Sequence, residues 1–271
     1  MPPPNETCQF TAALVREPSA RAVGGLRVVD RGAPDLSGLR REHTAYVAAL
    51  QAAGVTVERL PALDQFPDSM FVEDPALVFP EGAILLRPGA PSRAGEAAAL
   101  APALRARFAS VLELPPPGHV DGGDVLTLPD RVLIGLSART DRAGAEALVG
   151  CLARLGRRGE VVVTPPGVLH FKSDCSLLDD ATVLVTARLA TAGVFPGLRM
   201  LTVPAGEEGG ANALRVNAAV LAGSHYPRTL ALLRREGYAV VPLDIAEVGK
   251  LDAALSCMSL RWRRSEPGAA G

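Results

Sequence analysis

The feature that most constrains this chain is a repeat. Short apolar runs come in close pairs joined by a turn signal, and each pair is followed by a helical stretch and a further strand. Residues 74–79 and 83–87 read as strands around the turn Pro80-Glu81-Gly82, with a helix at 93–108 and a strand at 110–114. A second copy has strands at 124–128 and 132–136 around Pro129-Asp130, a helix at 141–155 and a strand at 160–164. A third has 175–178 and 182–186 around Asp179-Asp180. A fourth has 213–216 and 220–223 around Asn217, a helix at 227–236 and a strand at 238–242. The fifth closes through the two ends: a strand at 257–262 pairs with one at 10–15, completed by a helix at 37–53 and a strand at 55–60. No unit of this size buries its apolar face alone, so the units must pack on one another. Five ββαβ units closing on themselves make a five-bladed α/β propeller around a central channel. An open α/β sheet would instead alternate strand and helix, without hairpins between the helices.

No long linker or low-complexity tract divides the 271 residues. The expectation is a single catalytic α/β-propeller domain over 1–271, with its core at about 8–262 and flexible ends. No apolar run approaches the ~20 residues of a membrane span, and Met1 to Glu6 lack the basic-then-apolar pattern of a secretion leader. A cytoplasmic enzyme, monomer or homodimer, with no membrane partner is expected. The net charge of −1 argues against nucleic acid, whose binding rests on clustered basic charge. Lys172 and Lys250 are the only lysines among 28 basic residues, so most arginines read as solvated surface groups. The four cysteines, Cys8, Cys151, Cys175 and Cys257, are scattered without a Cys-x-x-Cys pair, which disfavours a disulfide scaffold or structural zinc.

A ring makes residues at equivalent edges of different units converge on its axis. Polar positions recur there: Glu73-Asp74, Asp121-Gly122-Gly123-Asp124, His170 and Cys257. Arg93 and Arg139 each follow the second strand of a hairpin. A thiolate is a strong nucleophile once a cationic neighbour lowers its pKa, and a histidine exchanges protons at neutral pH. Taken singly, a cysteine is most often a small buried hydrophobe, a histidine a hydrogen-bonded structural residue, and a carboxylate a turn cap or an arginine's partner. Together, Asp68, Glu73 and Asp74 ahead of an apolar strand, and Asp121 and Asp124 ahead of another, offer carboxylates that are costly to bury unpaired. A planar guanidinium is a natural partner for them. Gly122-Gly123 lacks the full Gly-x-Gly-x-x-Gly spacing and opens a strand, so a phosphate loop is set aside. The acids lack a companion histidine set, so no metal is expected.

Six segments carry a resemblance. Pro67-Asp68-Ser69-Met70-Phe71-Val72-Glu73-Asp74, Leu86 to Arg93, Asp121-Gly122-Gly123-Asp124-Val125-Leu126, Gly135-Leu136-Ser137-Ala138-Arg139-Thr140, Leu169-His170-Phe171-Lys172-Ser173 and Ser256-Cys257-Met258-Ser259-Leu260 resemble the dimethylarginine dimethylaminohydrolase family, in its order, from about Phe10 to Leu260. The resemblance implies a five-bladed propeller of the guanidine-modifying superfamily and a small-molecule guanidine substrate, with no cofactor. By the same resemblance Cys257 is the nucleophile, His170 the general acid/base and Asp121 the acid that orients His170, with Asp124 its close competitor. Glu73 and Asp74 would hold the guanidinium, Asp68 the substrate's amino-acid end, and Arg93 and Arg139 its carboxylate. Leu251 and Asp252 would form a patch near the substrate, and Leu26 would belong to a mobile lid.

Methylated arginines, giving citrulline and an amine, are the expected substrates. The nearest rival is a deiminase of arginine or agmatine. Those relatives carry an aspartate two residues after the catalytic histidine, where this chain has Lys172. Arginine deiminases carry an additional helical domain that 271 residues do not accommodate, and agmatine has no carboxylate for Arg93 and Arg139. A non-catalytic binder of arginine derivatives would not need Cys257, His170 and the acids together. A papain-like protease would place its cysteine early, on a helix.

Overall fold

The computed structural model describes residues 7–264, and the ends expected to be flexible fall almost wholly outside the described residues. In chain order the elements are β1 (Ala12–Arg16), α1 (Leu36–Ala52), β2 (Thr56–Leu60), β3 (Ala76–Phe79), β4 (Gly82–Leu85), α2 (Glu96–Arg105), β5 (Val111–Glu113), β6 (Val125–Thr127), β7 (Val132–Leu136), α3 (Arg142–Arg154) and β8 (Gly159–Val163). They continue with β9 (Cys175–Asp179), β10 (Thr182–Val185), α4 (Ala187–Ala190), β11 (Arg199–Thr202), β12 (Leu214–Val216), β13 (Ala219–Gly223), α5 (Pro227–Arg235), β14 (Ala239–Leu243), α6 (Ala246–Gly249) and β15 (Leu260–Trp262).

Local chemistry sets many of these boundaries. Asp35 and Asp141 cap α1 and α3, accepting from Gly38 N and Gly144 N at 2.7 Å each. Gly54 and Gly156, both at positive φ, end the same two helices. Two expectations shift. The helix expected at 93–108 breaks into a turn at Pro91–Arg93 and α2, with Gly95, a poor helix former, at the junction and packed against the Phe66 ring. The strand expected from residue 257 begins at Leu260, and Cys257 lies instead in the short 3-10 turn Leu255–Met258.

The strands form five three-stranded sheets: β15-β1-β2, β3-β4-β5, β6-β7-β8, β9-β10-β11 and β12-β13-β14. In each, the first two strands make an antiparallel pair and the third lies parallel to the middle one. Leu77 pairs with Ile84 and Ile84 with Leu112, for example. The parallel third strand needs a crossover, which the intervening segment supplies; in the third sheet its only helix is the four-residue α4.

Period-two alternation then closes the ring. Ala13 and Val15 of β1 pack with α1 and with Leu214, Val216 and Leu221 of the fourth sheet, while Ala12 and Leu14 pack with Ala76, Ala83 and Trp262 towards the first. Val125 of β6 faces the first sheet and Leu126 the third. A further cluster joins the third and fourth sheets. Each of the five clusters thus lies between two neighbouring sheets, and together they complete the five-bladed α/β propeller. Strands covered on both faces explain why the apolar runs are continuous. The first strands of the units lie innermost, with β15 beside β3, β6 beside β9 and β9 beside β12. No helix among the described residues is long and apolar enough to cross a membrane.

Candidate active site

Every innermost strand is entered through a tight turn, and the fivefold repeat puts these turns at one end of the channel. Residues 68–75 lead into β3, Gly122–Asp124 into β6, Phe171–Ser173 into β9, Glu208–Ala211 into β12 and Leu255–Met258 into β15. Asp121 and His170 stand immediately before their turns, Glu73 and Asp74 before Pro75, and Cys257 within its own. A pocket at this end is lined by Leu26, Asp68, Asp74, Arg93, Asp121, Arg139, His170, Leu251, Asp252 and Cys257. Ten of the eleven residues expected at the site therefore converge; the eleventh, Glu73, lies directly behind it.

His170 and Asp121 form the centre. His170 Nε2 lies 3.1 Å from Asp121 Oδ2, and the other Asp121 oxygen accepts from Gly89 N at 2.7 Å. Asp124 has different duties: it accepts from Ser137 Oγ, Thr140 Oγ1 and Phe171 N, so it holds the turn that presents His170. Burial would push His170 down, but the hydrogen bond to Asp121 and the charges of Asp74, Asp124 and Asp121 outweigh it and raise the imidazole to about 9. It is therefore an imidazolium at neutral pH.

Gly122 and Gly123 make this packing feasible. A Cβ on Gly122 would sit 2.0 Å from Glu73 O, and one on Gly123 would sit 2.7 Å from His170 Nδ1 and 3.0 Å from Asp74 Oδ1. Their amides also serve: Gly123 N donates to Asp74 Oδ1 and Gly122 N to the Asp74 carbonyl, each at 3.0 Å. The pair is needed for close backbone approach, which no phosphate-loop pattern would have revealed.

Cys257 is 9 % exposed. Burial first, then the charges of Glu73 and Asp74, push its thiol up to about 12, against an opposing contribution from Lys172. At neutral pH these surroundings favour the thiol. Its turn is tied to neighbouring blades through Glu73 N donating to Cys257 O at 3.2 Å and Ser256 N donating to Asn212 Oδ1 at 3.3 Å.

Five expected substrate contacts, Asp68, Glu73, Asp74, Arg93 and Asp252, have protein partners in this structure. Arg93, 4 % exposed, spends Nε and one terminal nitrogen on Glu96 and on the carbonyls of Asp68 and Phe71, and the other terminal nitrogen on Asp74. Burial raises Asp74, but the charges of Arg93 and His170 hold its carboxyl below the usual range. Asp252 accepts from the amides of Val28 and Val29 through one oxygen and from Arg31 at 2.6 Å through the other, so it clasps the segment that covers the pocket. Asp68 accepts from Leu26 N at 2.9 Å, a second clasp. Glu73 turns away from the pocket to Lys172 Nζ at 2.6 Å and Arg261 at 3.1 Å. Arg261 and Arg31 are the site's unforeseen members; Lys172 and the glycine pair stood in the segments that the sequence singled out, but without these roles.

Asp74, Asp121 and His170 bring ligand-type atoms within 4.8 Å of one another. Asp74 already accepts from Arg93 and Gly123, and Asp121 from Gly89 with His170 alongside, so the group reads as an acid–base cluster.

Comparison with known proteins places this geometry. Residues 60–196 match the arginine deiminase family model. The N(G),N(G)-dimethylarginine dimethylaminohydrolase of Pseudomonas aeruginosa is 35% identical over 93% of this chain and 100% of that protein. The chain belongs to the dimethylarginine dimethylaminohydrolase family. The family protein of Streptomyces coelicolor is 38% identical over 93% of this chain and 96% of its own. A solved structure of the Pseudomonas aeruginosa dimethylarginine dimethylaminohydrolase, a cysteine-to-serine mutant complexed with citrulline, superposes with a TM-score of 0.91 at 35% identity, covering 93% of this chain and 99% of that one. An arginine dihydrolase domain from cyanobacteria, 16% identical, shares the fold at a TM-score of 0.82 over 93% of this chain and 98% of its own.

Proposed function

We propose that this protein hydrolyses Nω-methylated arginines, asymmetric dimethylarginine and monomethylarginine, to citrulline and dimethylamine or methylamine. The observation that carries the reading is the convergence of Cys257, the His170–Asp121 pair and Asp74 in one covered pocket. The guanidinium lies against Cys257, held by Asp74 with Glu73 behind. Arg139, which makes no ion pair among the described residues, takes the carboxylate, joined by Arg93 when Asp74 turns to the substrate. Asp68 and the Leu251 backbone meet the amino-acid end.

Charge drives the chemistry. A guanidinium about 4 Å from the sulfur contributes about 4 kcal/mol at an effective dielectric constant of about 20, or about 3 pKa units. That offsets most of what burial and the carboxylates impose on the thiol, so the substrate generates its own nucleophile. The thiolate attacks the guanidinium carbon, the carbon–nitrogen bond breaks, and the His170 imidazolium protonates the departing amine. A covalent thiouronium remains on Cys257. Neutral His170 then takes a proton from water, whose oxygen attacks the same carbon and releases citrulline and the thiol. No step requires a cofactor.

The test is parallel incubation with asymmetric dimethylarginine, monomethylarginine, arginine and agmatine, against a Cys257→Ser control. Citrulline from the methylated substrates, absent in the control, is the expected result. The match to an arginine deiminase model favours one alternative, turnover of arginine itself. Citrulline from arginine but not from the methylated compounds would reassign the substrate.

A further inference from the structure

A second cavity, of about 430 Å³, lies behind the pocket along the channel. Glu73, Lys172, Ser256 and Arg261 line it, while Cys257 and His170 line the pocket in front. The partition between the two is thin: Ser256 faces the rear cavity and its neighbour Cys257 the front one. Glu73 is part of this wall, through its amide on the Cys257 carbonyl. Lys172 Nζ and Arg261 NH2 both hold one Glu73 oxygen, Oε1, at 2.6 and 3.1 Å. Glu73 Oε2 is buried and without a partner.

We propose that Lys172 is a positioning residue for Cys257: it neutralises the carboxylate built against the nucleophile's turn and occupies Glu73 Oε1, leaving Oε2 as the acceptor that Glu73 can offer behind Asp74. The inference rests on the reading of Cys257 as nucleophile. The carboxylates of the sulfur's pocket and of the wall behind it are Asp68, Glu73 and Asp74 ahead of β3, Asp121 ahead of β6 and Asp252 ahead of the Cys257 turn. The cations are Arg27, Arg93 and Arg139 in the front pocket, His170 and Lys172 ahead of β9 and Arg261 on β15, and among the described residues the fourth blade brings neutral Asn212. His170 is engaged by Asp121. Arg261 is shared with the Ser256 and Ser259 carbonyls and Ser259 Oγ, which makes it the anchor of the Cys257 turn. Among the described residues Lys172 pairs with Glu73 alone, and its charge acts directly on the thiol. Its side chain is 12% exposed and Glu73's 5%, so solvent screens the pair weakly. Lys172 also shares a three-residue turn with the backbone that presents His170, so acid and counter-charge arrive together.

The test is the pH dependence of Cys257 alkylation by iodoacetamide, read by mass at that residue in the full chain. Lys172→Met is expected to lower the rate at any fixed pH by about tenfold or more, an upward displacement of about one pKa unit. Lys172→Arg should remain within about threefold of the parent. Glu73→Gln with Lys172→Met should recover most of the loss, because both charges of the pair are gone. Lys172→Gln replaces the methionine variant should that fail to fold. A profile unchanged in Lys172→Met, a loss as large in Lys172→Arg, or no recovery in the double variant would each overturn the proposal. Alkylation needs no turnover, so this outcome is independent of the Cys257→Ser assay that tests the nucleophile.

Discussion

Of the two titrating groups at the centre of the site, one rests in the form opposite to that needed for attack and the other already in the form that proton donation needs. Cys257 rests as a thiol with a pKa of about 12, and His170 rests as an imidazolium with a pKa of about 9. As the proton donor to the departing amine, His170 serves only while protonated, so turnover should fall as pH rises through about 9. Asp121→Asn removes the charge and the strongest hydrogen bond that hold the proton. The alkaline limb of the kcat–pH profile should then move to lower pH, with kcat down by about 10² to 10⁴-fold. An unmoved limb would mean that Asp121 does not set the His170 proton. Gly123→Ala tests position rather than charge. Its new methyl would enter the space of His170 Nδ1 and Asp74, and displacement of a catalytic group by about 1 Å costs about 10²-fold in rate. A kinetic assay beside a circular dichroism spectrum should show activity lost from a folded protein.

At the scale of the element, the segment over the pocket is tied down at two points. Asp68 holds Leu26, and Asp252 holds the Val28 and Val29 amides and the Arg31 side chain, while Val28 is 71% exposed. The segment between these two ties, Leu26 to Val28, lines the pocket that holds Cys257 and His170. The amino group of an arginine would compete with Leu26 for Asp68, which couples binding to the position of this segment. Asp252→Asn keeps a residue that tolerates the local φ of 52° but removes the charge. The Val28 and Val29 amides should then exchange with solvent faster than in the parent, measured by hydrogen exchange, while amides of α3 stay unchanged. Equal protection in both proteins would show that the clasp does not hold the segment.

For the whole molecule, stability and function share one device, the closed ring. The last strand, β15, pairs with the first, β1, in a single sheet, so the fifth blade exists only when both ends of the chain meet. Asn217 assists across the ring, binding both the amide and the carbonyl of Phe10 and the carbonyl of Ala53. Trp262 is 6% exposed in the cluster joining the fifth and first blades and packs against Phe108 with ring centroids 5.1 Å apart and the rings tilted by 58°. Trp262→Ala should cost about 3–5 kcal/mol of stability in denaturant unfolding. Because β15 follows directly on the Cys257 turn, activity should fall at denaturant concentrations below global unfolding. Coincident loss of activity and structure would show that the closing blade does not open separately.

Much of this was legible in the sequence because it depends on local pattern. Paired apolar runs, turn residues and helix caps act within a few residues of one another, so five ββαβ units and their order could be read directly. The fivefold repeat then predicted that residues preceding the inner strands meet, which drew together Cys257, His170, the Asp121–Asp124 segment and the Glu73–Asp74 pair, and the family resemblance supplied their expected roles. What tertiary structure alone decided is which of these groups engages which. Asp121 rather than Asp124 meets His170 across 49 positions, Arg261 meets Glu73 across 188, and Asp252 reaches the Val28 amide across 224. Hydrogen bonds and ion pairs are won or lost over less than 1 Å, a distance that no pattern of residue types along the chain encodes and that only the packing of five blades around one axis sets.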